Sequence, residues 1–232
     1  MAGLLFATAA RCRADDLVMN ARDAAAYQII RCDDAAGQAD LLCDGLMFDC
    51  RGLTPAPALH IDAAMQQIAL PAGFALADHA LVTVGPGAQL AGAGQLLPVV
   101  RALAGLVRAL AAMPGVCAVV WLPARTAMSP QWFAEATGHW LNGGAFPALA
   151  MTGLARSDQG FASTGLAYFT GQEFVFGSRE GVRETDARGA VRLTDWLVAH
   201  GRIDAACDIE LPGFGTVRLE PQGPDSLRAT PL

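Results

Sequence analysis

The sequence contains no lysine, and all 16 of its basic residues are arginines. A chain without lysine cannot form a Schiff base, supply the phosphate-binding lysine of a P-loop or build an S-x-x-K nucleophile pair. Pyridoxal phosphate enzymes and Walker-type nucleotide hydrolases are therefore excluded. The glycine-rich segment 85–94 does not match G-x-G-x-x-G, because Leu97 stands where the third glycine belongs. We therefore expect no cofactor.

Charged residues are also scarce. They make up 16% of the chain, against about 25% in an average globular domain. The net charge is −6, and the arginines are scattered apart from Arg11 and Arg13. Nucleic-acid binding usually requires a clustered basic face, and an acidic surface repels phosphate. The sequence thus predicts no nucleic-acid partner, and its 53% hydrophobic content excludes a disordered chain.

Metal-binding patterns are missing as well. None of the six cysteines falls in C-x-x-C spacing, and the four histidines form no H-E-x-x-H pair. We therefore expect no metal site. Most of the cysteines lie in or beside apolar stretches, which is typical of buried thiols in a reducing compartment. This favours a cytoplasmic location.

Two apolar segments could be mistaken for membrane or export signals. The segment 1–6 has no basic region before it, and Arg11 and Arg13 follow too soon for a cleavage site, so we expect no signal peptide. The segment 95–113 contains Arg101 and Arg108, which would be costly at the centre of a membrane span. Its apolar residues recur at helical spacing on the other side, so it is predicted to be an amphipathic helix and not a membrane anchor.

Hydrophobic periodicity predicts alternating strands and helices. The predicted strands are 4–9, 27–31, 46–50, 80–84, 116–122, 146–155, 164–169, 174–176, 209–211 and 216–219. The predicted helices are 14–25, 62–69, 95–113, 130–141 and 190–200. This order indicates an α+β fold with a mixed sheet and packed helices. The predicted fold opens with a split βαββαβ (ferredoxin-like) unit. A division of the chain into two similar lobes is an alternative. We expect one domain over 1–232, with 1–88 and 89–232 as candidate sub-lobes.

The segment from Thr164 to Glu173 reads Thr-Gly-Leu-Ala-Tyr-Phe-Thr-Gly-Gln-Glu. This T-G-L-x-x-F-x-x-x-E signature resembles that of an uncharacterised bacterial family, a domain of unknown function. The resemblance extends in order over most of the chain and implies an α+β domain without an assigned activity. Read physically, Glu173 follows a tight turn, where its carboxylate could bind backbone N–H groups or Arg156 across the hairpin.

Three hypotheses for function follow. The favoured one is a non-enzymatic cytosolic binding or protein-interaction domain of accessory or immunity type, because no catalytic constellation is evident. The second is a small-molecule enzyme with a cleft near Glu173 and His200, with Arg125 as a further candidate. The third is a structural dimerisation module, in which the chain forms a homodimer. The candidate ligand-binding or partner-binding residues are Trp121, Arg125, Thr164, Tyr168, Glu173 and His200.

Overall fold

The computed structural model describes residues 1–61, 64–178, 183 and 185–232. The chain divides into two compact units, Met1–Gly144 and Ala145–Leu232. Each unit combines helices with one mixed β-sheet, so the α+β class predicted from the sequence is confirmed. No helix within the described ranges is long and apolar enough to cross a membrane.

The first unit contains an eight-stranded sheet. Its strands are β1 (Ala2–Ala7), β2 (Gln28–Asp33), β3 (Gln38–Cys43), β4 (Leu46–Arg51), β5 (Gln66–Ile68), β6 (His79–Pro86), β7 (Val116–Trp121) and β8 (Thr126–Met128). They lie in the order β2-β3-β4-β6-β1-β7-β8-β5. The β5–β8 pair is parallel and the other pairs are antiparallel, which makes the sheet mixed.

The centre of this sheet has the split arrangement that the sequence predicts. Helix α1 (Ala14–Ala24) follows β1, and helix α2 (Leu97–Ala111) connects β6 to β7. Strand β1 lies between β6 and β7 and is antiparallel to both, and β4 pairs with the other edge of β6. This is the order of a split βαββαβ unit, to which the β2–β3 hairpin has been added after α1.

Helix α2 owes its position to its apolar face. The residues of that face are all buried: Val99, Val100, Leu103, Leu106, Val107 and Leu110. Full burial of an aliphatic side chain contributes about 1.5–3 kcal/mol, so this face is a main source of stability in the unit. Helix α3 (Pro130–Leu141) begins as predicted, because the Ser129 side chain accepts a hydrogen bond from the backbone N–H of Trp132.

The second unit contains a six-stranded sheet. Its strands are β9 (Gly153–Ser157), β10 (Gly160–Thr164), β11 (Glu173–Phe176), β12 (Cys207–Leu211), β13 (Gly215–Pro221) and β14 (Ser226–Pro231). They lie in the order β12-β13-β14-β11-β10-β9, with β11 and β14 parallel. The helices are α4 (Ala148–Met151), α5 (Ala167–Thr170) and α6 (Asp186–His200). Helix α6 packs its apolar side, including Ala190, Leu193 and Leu197, into the core of this unit.

Three predicted elements are wrong. The helix predicted over 62–69 is a strand at Gln66–Ile68, which pairs with β8; residues 62 and 63 lie outside the described residues. The strands predicted over 146–155 and 164–169 contain the one-turn helices α4 and α5. Such short apolar runs carry too few residues for their periodicity to separate a strand from a helical turn.

The candidate sub-lobes 1–88 and 89–232 do not coincide with the two compact units. Strand β1 precedes residue 88 and β7 follows it, yet the two strands pair in one sheet. The compact unit continues to Gly144. The two sheets differ in strand number and in strand order.

Candidate functional site

The Glu173 side chain is the centre of a hydrogen-bond network in the second unit. Its carboxylate accepts bonds from the Ser163 hydroxyl at 2.5 Å and from the backbone N–H groups of Gly165 at 2.6 Å, Ala167 at 3.1 Å and Leu166 at 3.3 Å. The three N–H groups belong to the turn that enters α5, where they have no helical partner. The sequence suggested that Glu173 binds either backbone N–H groups or Arg156, and the structure contains the contact with backbone N–H groups.

The other residues of the T-G-L-x-x-F-x-x-x-E segment support the same turn. Gly165 has φ 86° and Gly171 has φ 76°, a region that residues with a Cβ seldom adopt. Leu166 is fully buried in the core of the unit. The Thr170 hydroxyl lies within hydrogen-bond distance of Leu166 O, Gln172 O and Gln172 N. The segment therefore builds a compact β10-turn-β11 connection.

This network leaves Glu173 poorly suited to catalysis. A carboxylate that accepts hydrogen bonds from several backbone N–H groups is held in one position. Moving it towards a substrate would leave three backbone donors without their acceptor, at a cost of about 1–3 kcal/mol for each one left buried. We therefore interpret Glu173 as a residue that stabilises the turn.

The remaining predicted site residues are dispersed. Trp121 is fully buried in β7, so it does not form the exposed partner-binding surface that the sequence suggested. Arg125 is exposed in the turn between β7 and β8, with φ 53°. Both residues belong to the first unit, which forms a cavity of its own elsewhere.

In the second unit, Thr164 is exposed at the end of β10, and Tyr168 is half-buried. The Tyr168 ring contacts the edge of Phe169 at a centroid distance of 5.2 Å, and burial raises the pKa of its phenol. His200 is exposed at the end of α6 and stacks on Trp196 at 3.9 Å, while its Nδ1 lies 2.7 Å from the Trp196 carbonyl oxygen. These contacts are local to α5 and α6 and assemble no catalytic group.

A groove in the first unit is the feature that the sequence did not reveal. Its volume is about 720 Å³, which falls within the range of roughly 300–1,000 Å³ that ligand sites occupy. It lies between α1, the end of β1 and the turn that joins α2 to β7. Its lining residues are Phe6, Ala10, Cys12, Asp16, Met19, Asn20, Asp23, Ala24, Ala112, Met113 and Pro114. We call this cavity the α1 groove.

The floor of the α1 groove is apolar and its rim is exposed. Phe6, Cys12 and Met113 are buried and form the floor. On the rim, Met19 keeps 58% of its surface exposed. An exposed methionine beside an apolar floor is typical of adaptable binding surfaces. The groove therefore presents exposed apolar surface beside a buried apolar floor.

All the charged residues that line the α1 groove are acidic. Asp16 and Asp23 are both exposed, and none of the lining residues is basic. The Asp16 carboxylate accepts a hydrogen bond of 2.8 Å from the Arg13 N–H and so caps α1. The Asp23 carboxylate has no hydrogen bond or ion pair within the described ranges. The groove therefore favours a cationic ligand.

Hydrogen bonds hold one wall of the α1 groove in place. The Tyr27 hydroxyl lies 3.0 Å from both Asn20 Oδ1 and Leu17 O, and Asn20 Nδ2 donates to Ala109 O at 3.3 Å. These bonds tie α1 to the end of α2. The wall is therefore formed before any ligand binds.

The one thiol of the α1 groove is not a nucleophile. Burial, with a contribution from the Asp16 carboxylate, raises the pKa of Cys12 to about 12. The reactive species is the thiolate, which is then a negligible fraction at neutral pH. Within the part of the chain that the structure describes, no group of three or more His, Cys, Asp or Glu side chains could hold a metal ion.

Comparison of the chain with protein-family models, with curated proteins and with solved structures returned no match. The site must therefore be interpreted from its own geometry. The only sequence signal for the α1 groove was the helical spacing of Asp16, Met19, Asn20 and Asp23 on α1. The rest of the lining comes from segments far apart in the chain.

Proposed function

We propose that this protein is a non-enzymatic, cytoplasmic protein-interaction domain of accessory or immunity type, and that the α1 groove is its partner-binding site. The observation that carries the proposal is an open groove with an apolar floor, in which every charged lining residue is acidic. Membership of the uncharacterised bacterial family with the T-G-L-x-x-F-x-x-x-E signature is part of the same proposal.

Three further observations favour binding over catalysis. The carboxylate of Glu173, which the enzyme hypothesis requires, is already committed to the turn before α5. The Cys12 thiol is protonated at neutral pH because of its burial. His200 stacks on Trp196 of its own helix. Glu173 and His200 are thus engaged in local contacts, whereas the α1 groove presents surface suited to a partner.

The proposal is tested by a matched pair of variants on α1. Met19 lines the groove with 58% of its surface exposed, whereas Val18, the preceding residue, is 37% exposed and is not part of the lining. Tagged wild-type protein, Met19→Arg and Val18→Arg are each incubated with native lysate, and the retained proteins are identified by mass spectrometry.

We expect a partner that is retained by the wild type and by Val18→Arg but lost with Met19→Arg, because the arginine fills the apolar part of the groove. Circular dichroism checks that both variants are folded. A partner retained equally by both variants would place the interaction elsewhere. Self-association that Met19→Arg abolishes would instead support the homodimer hypothesis.

A further inference from the structure

Four residues of the α1 groove form a single stripe on one helix. Asp16, Met19, Asn20 and Asp23 follow the spacing i, i+3, i+4 and i+7, so their side chains project from the same side of α1. The two carboxylates stand at the ends of the stripe, and Met19 and Asn20 stand between them. At about 1.5 Å per residue, Asp16 and Asp23 are separated by roughly 10 Å along the helix axis.

The shape of the α1 groove favours a polypeptide over a small molecule. Most of its lining residues are exposed, including Asp16, Met19, Asp23 and Pro114. A small-molecule site usually encloses its ligand and covers about 70–90% of the ligand surface. An open groove beside a helix instead matches the mode in which an amphipathic helix lays its apolar face into a hydrophobic groove.

We propose that the α1 groove binds an amphipathic helix of a partner protein that carries two basic residues seven positions apart, with apolar residues between them. This inference rests on the proposed function and specifies the chemistry of the partner. Basic side chains at positions i and i+7 of a helix have the same separation of roughly 10 Å as Asp16 and Asp23. The apolar residues at i+3 and i+4 then cover Met19 and the floor at Phe6 and Met113.

Charge complementarity determines which residues of the partner helix lie at the two ends of the α1 groove. Two exposed carboxylates attract the basic residues at both ends of the partner segment, and this attraction weakens as salt screens it. Asp23 is available for such a contact, since it has no ion pair within the described residues. Asp16 keeps one oxygen on the Arg13 N–H, and its other oxygen can accept from the partner.

The test uses three fluorescein-labelled synthetic helical peptides of identical length. The first carries arginines at i and i+7 with leucines at i+3 and i+4. The second has the same composition with the arginines at i and i+5, which places them on different faces of the helix. The third has glutamates in place of the arginines. Binding of each peptide to the full chain is measured by fluorescence anisotropy.

We expect the i, i+7 peptide to bind at least about tenfold more tightly than the other two peptides. Asp16→Asn and Asp23→Asn should each weaken its binding about threefold to fivefold, as expected for an exposed ion pair. Asparagine at position 16 keeps an oxygen for the Arg13 N–H, so the cap of α1 is preserved. Val18→Arg serves as the control variant and should bind as the wild type does.

The outcomes separate this inference from the function proposed above. The i, i+7 and i, i+5 peptides could bind equally well and both lose binding in Met19→Arg. That result would overturn the proposed seven-residue spacing of the basic residues but would leave the α1 groove as a binding site. Binding that neither Asp→Asn variant weakens would overturn the charge complementarity. Absence of binding by any peptide, together with a lysate partner lost in Met19→Arg, would overturn the helical occupant while supporting the proposed function.

Discussion

The Glu173 carboxylate accepts a 2.6 Å hydrogen bond from the backbone N–H of Gly165, eight residues earlier in the chain. Gly165 is the first residue after β10, and Glu173 is the first residue of β11. One side chain thus fixes the geometry of the whole turn between two paired strands. This relationship gives the T-G-L-x-x-F-x-x-x-E segment a structural role.

Replacing Glu173 should therefore destabilise the protein. In Glu173→Gln, the amide keeps one oxygen that can accept from Gly165 and Ala167, but its NH2 group then faces the N–H of Leu166, which loses its acceptor, and the charge that strengthened all of these bonds is lost. We expect a loss of about 2–3 kcal/mol in the free energy of unfolding, measured by urea denaturation. Glu210→Gln is the control, because Glu210 is exposed and, among the described residues, its carboxylate accepts a hydrogen bond only from Thr216 Oγ1. This variant should change stability by less than about 0.5 kcal/mol. A Glu173→Gln protein as stable as the wild type would contradict the structural role.

Two glycines inside helices should respond in opposite directions to substitution by alanine. A Cβ at Gly189 in α6 would meet the rings of Phe176 and Phe214, the latter at 2.7 Å. A Cβ at Gly105 in α2 would lie 4.0 Å from its nearest neighbour, Leu141 Cδ1. We expect Gly189→Ala to lower the free energy of unfolding by about 1–3 kcal/mol through overpacking.

Gly105→Ala should instead raise stability by about 0.5–1 kcal/mol, because alanine reduces the entropy cost of forming the helix. Both values are obtained from urea denaturation curves. A stabilising Gly189→Ala would show that the two phenylalanine rings can move aside, which would contradict the tight packing of α6.

Stability should fall at alkaline pH because of the Cys12 thiol. Burial raises the pKa of this thiol to about 12, whereas a thiol in the unfolded chain titrates at about 8.5. Above about pH 8.5 the unfolded state loses a proton that the folded state keeps, so the unfolded state is favoured as the pH rises. We expect Cys12 to account for about 1 kcal/mol of the stability lost between pH 8 and pH 9.5.

The measurement is urea denaturation at both pH values in the presence of a reductant. Cys12→Ala should flatten the pH dependence by that amount. An unchanged slope in the variant would show that Cys12 does not titrate differently on folding.

Alkylation should distinguish the exposed thiol from the buried ones. Cys32 is exposed on the edge strand β2, whereas Cys12 and Cys43 are buried, and burial raises the pKa of Cys43 to about 11. With iodoacetamide at pH 7.5, we expect Cys32 to be modified at least about tenfold faster than the other two, as followed by peptide mass spectrometry. In urea, where burial is lost, the three rates should converge. Fast modification of Cys12 in the folded protein would contradict the closed floor of the α1 groove.

The sequence predicted the long elements better than the short ones. Helix α2 and strand β7 were placed within a few residues, because 15 residues of helical periodicity and an unbroken apolar run are strong signals. Strand β3 was missed because Asp40 and the polar start of the segment make it look like a loop. Helices α4 and α5 were read as strands because each is a single apolar turn.

The complete lining of the α1 groove could not be predicted from the sequence. Its floor combines Phe6 of β1, Cys12 of the following loop and Met113, which are brought together only by the pairing of β1 with β7 and by the packing of α1. The partner-binding role suggested for Trp121 could not be judged from the sequence for a related reason. Trp121 is an aromatic residue in a strand, and only its position in the sheet centre shows that it faces the core.

The parallel pairing of β11 with β14 has a consequence for the folding of the second unit. Strand β14 (Ser226–Pro231) is held between β11 and β13, so it joins the β9–β10–β11 segment to the β12–β13 hairpin. Until β14 has paired, the second unit consists of two half-sheets, each with an unpaired edge. Contacts of such large sequence separation form slowly, and exposed edges invite association with other chains. Completion of the sheet by β14 is therefore expected to be a late step in the folding of this unit, and the half-sheets are prone to associate with other chains until that step.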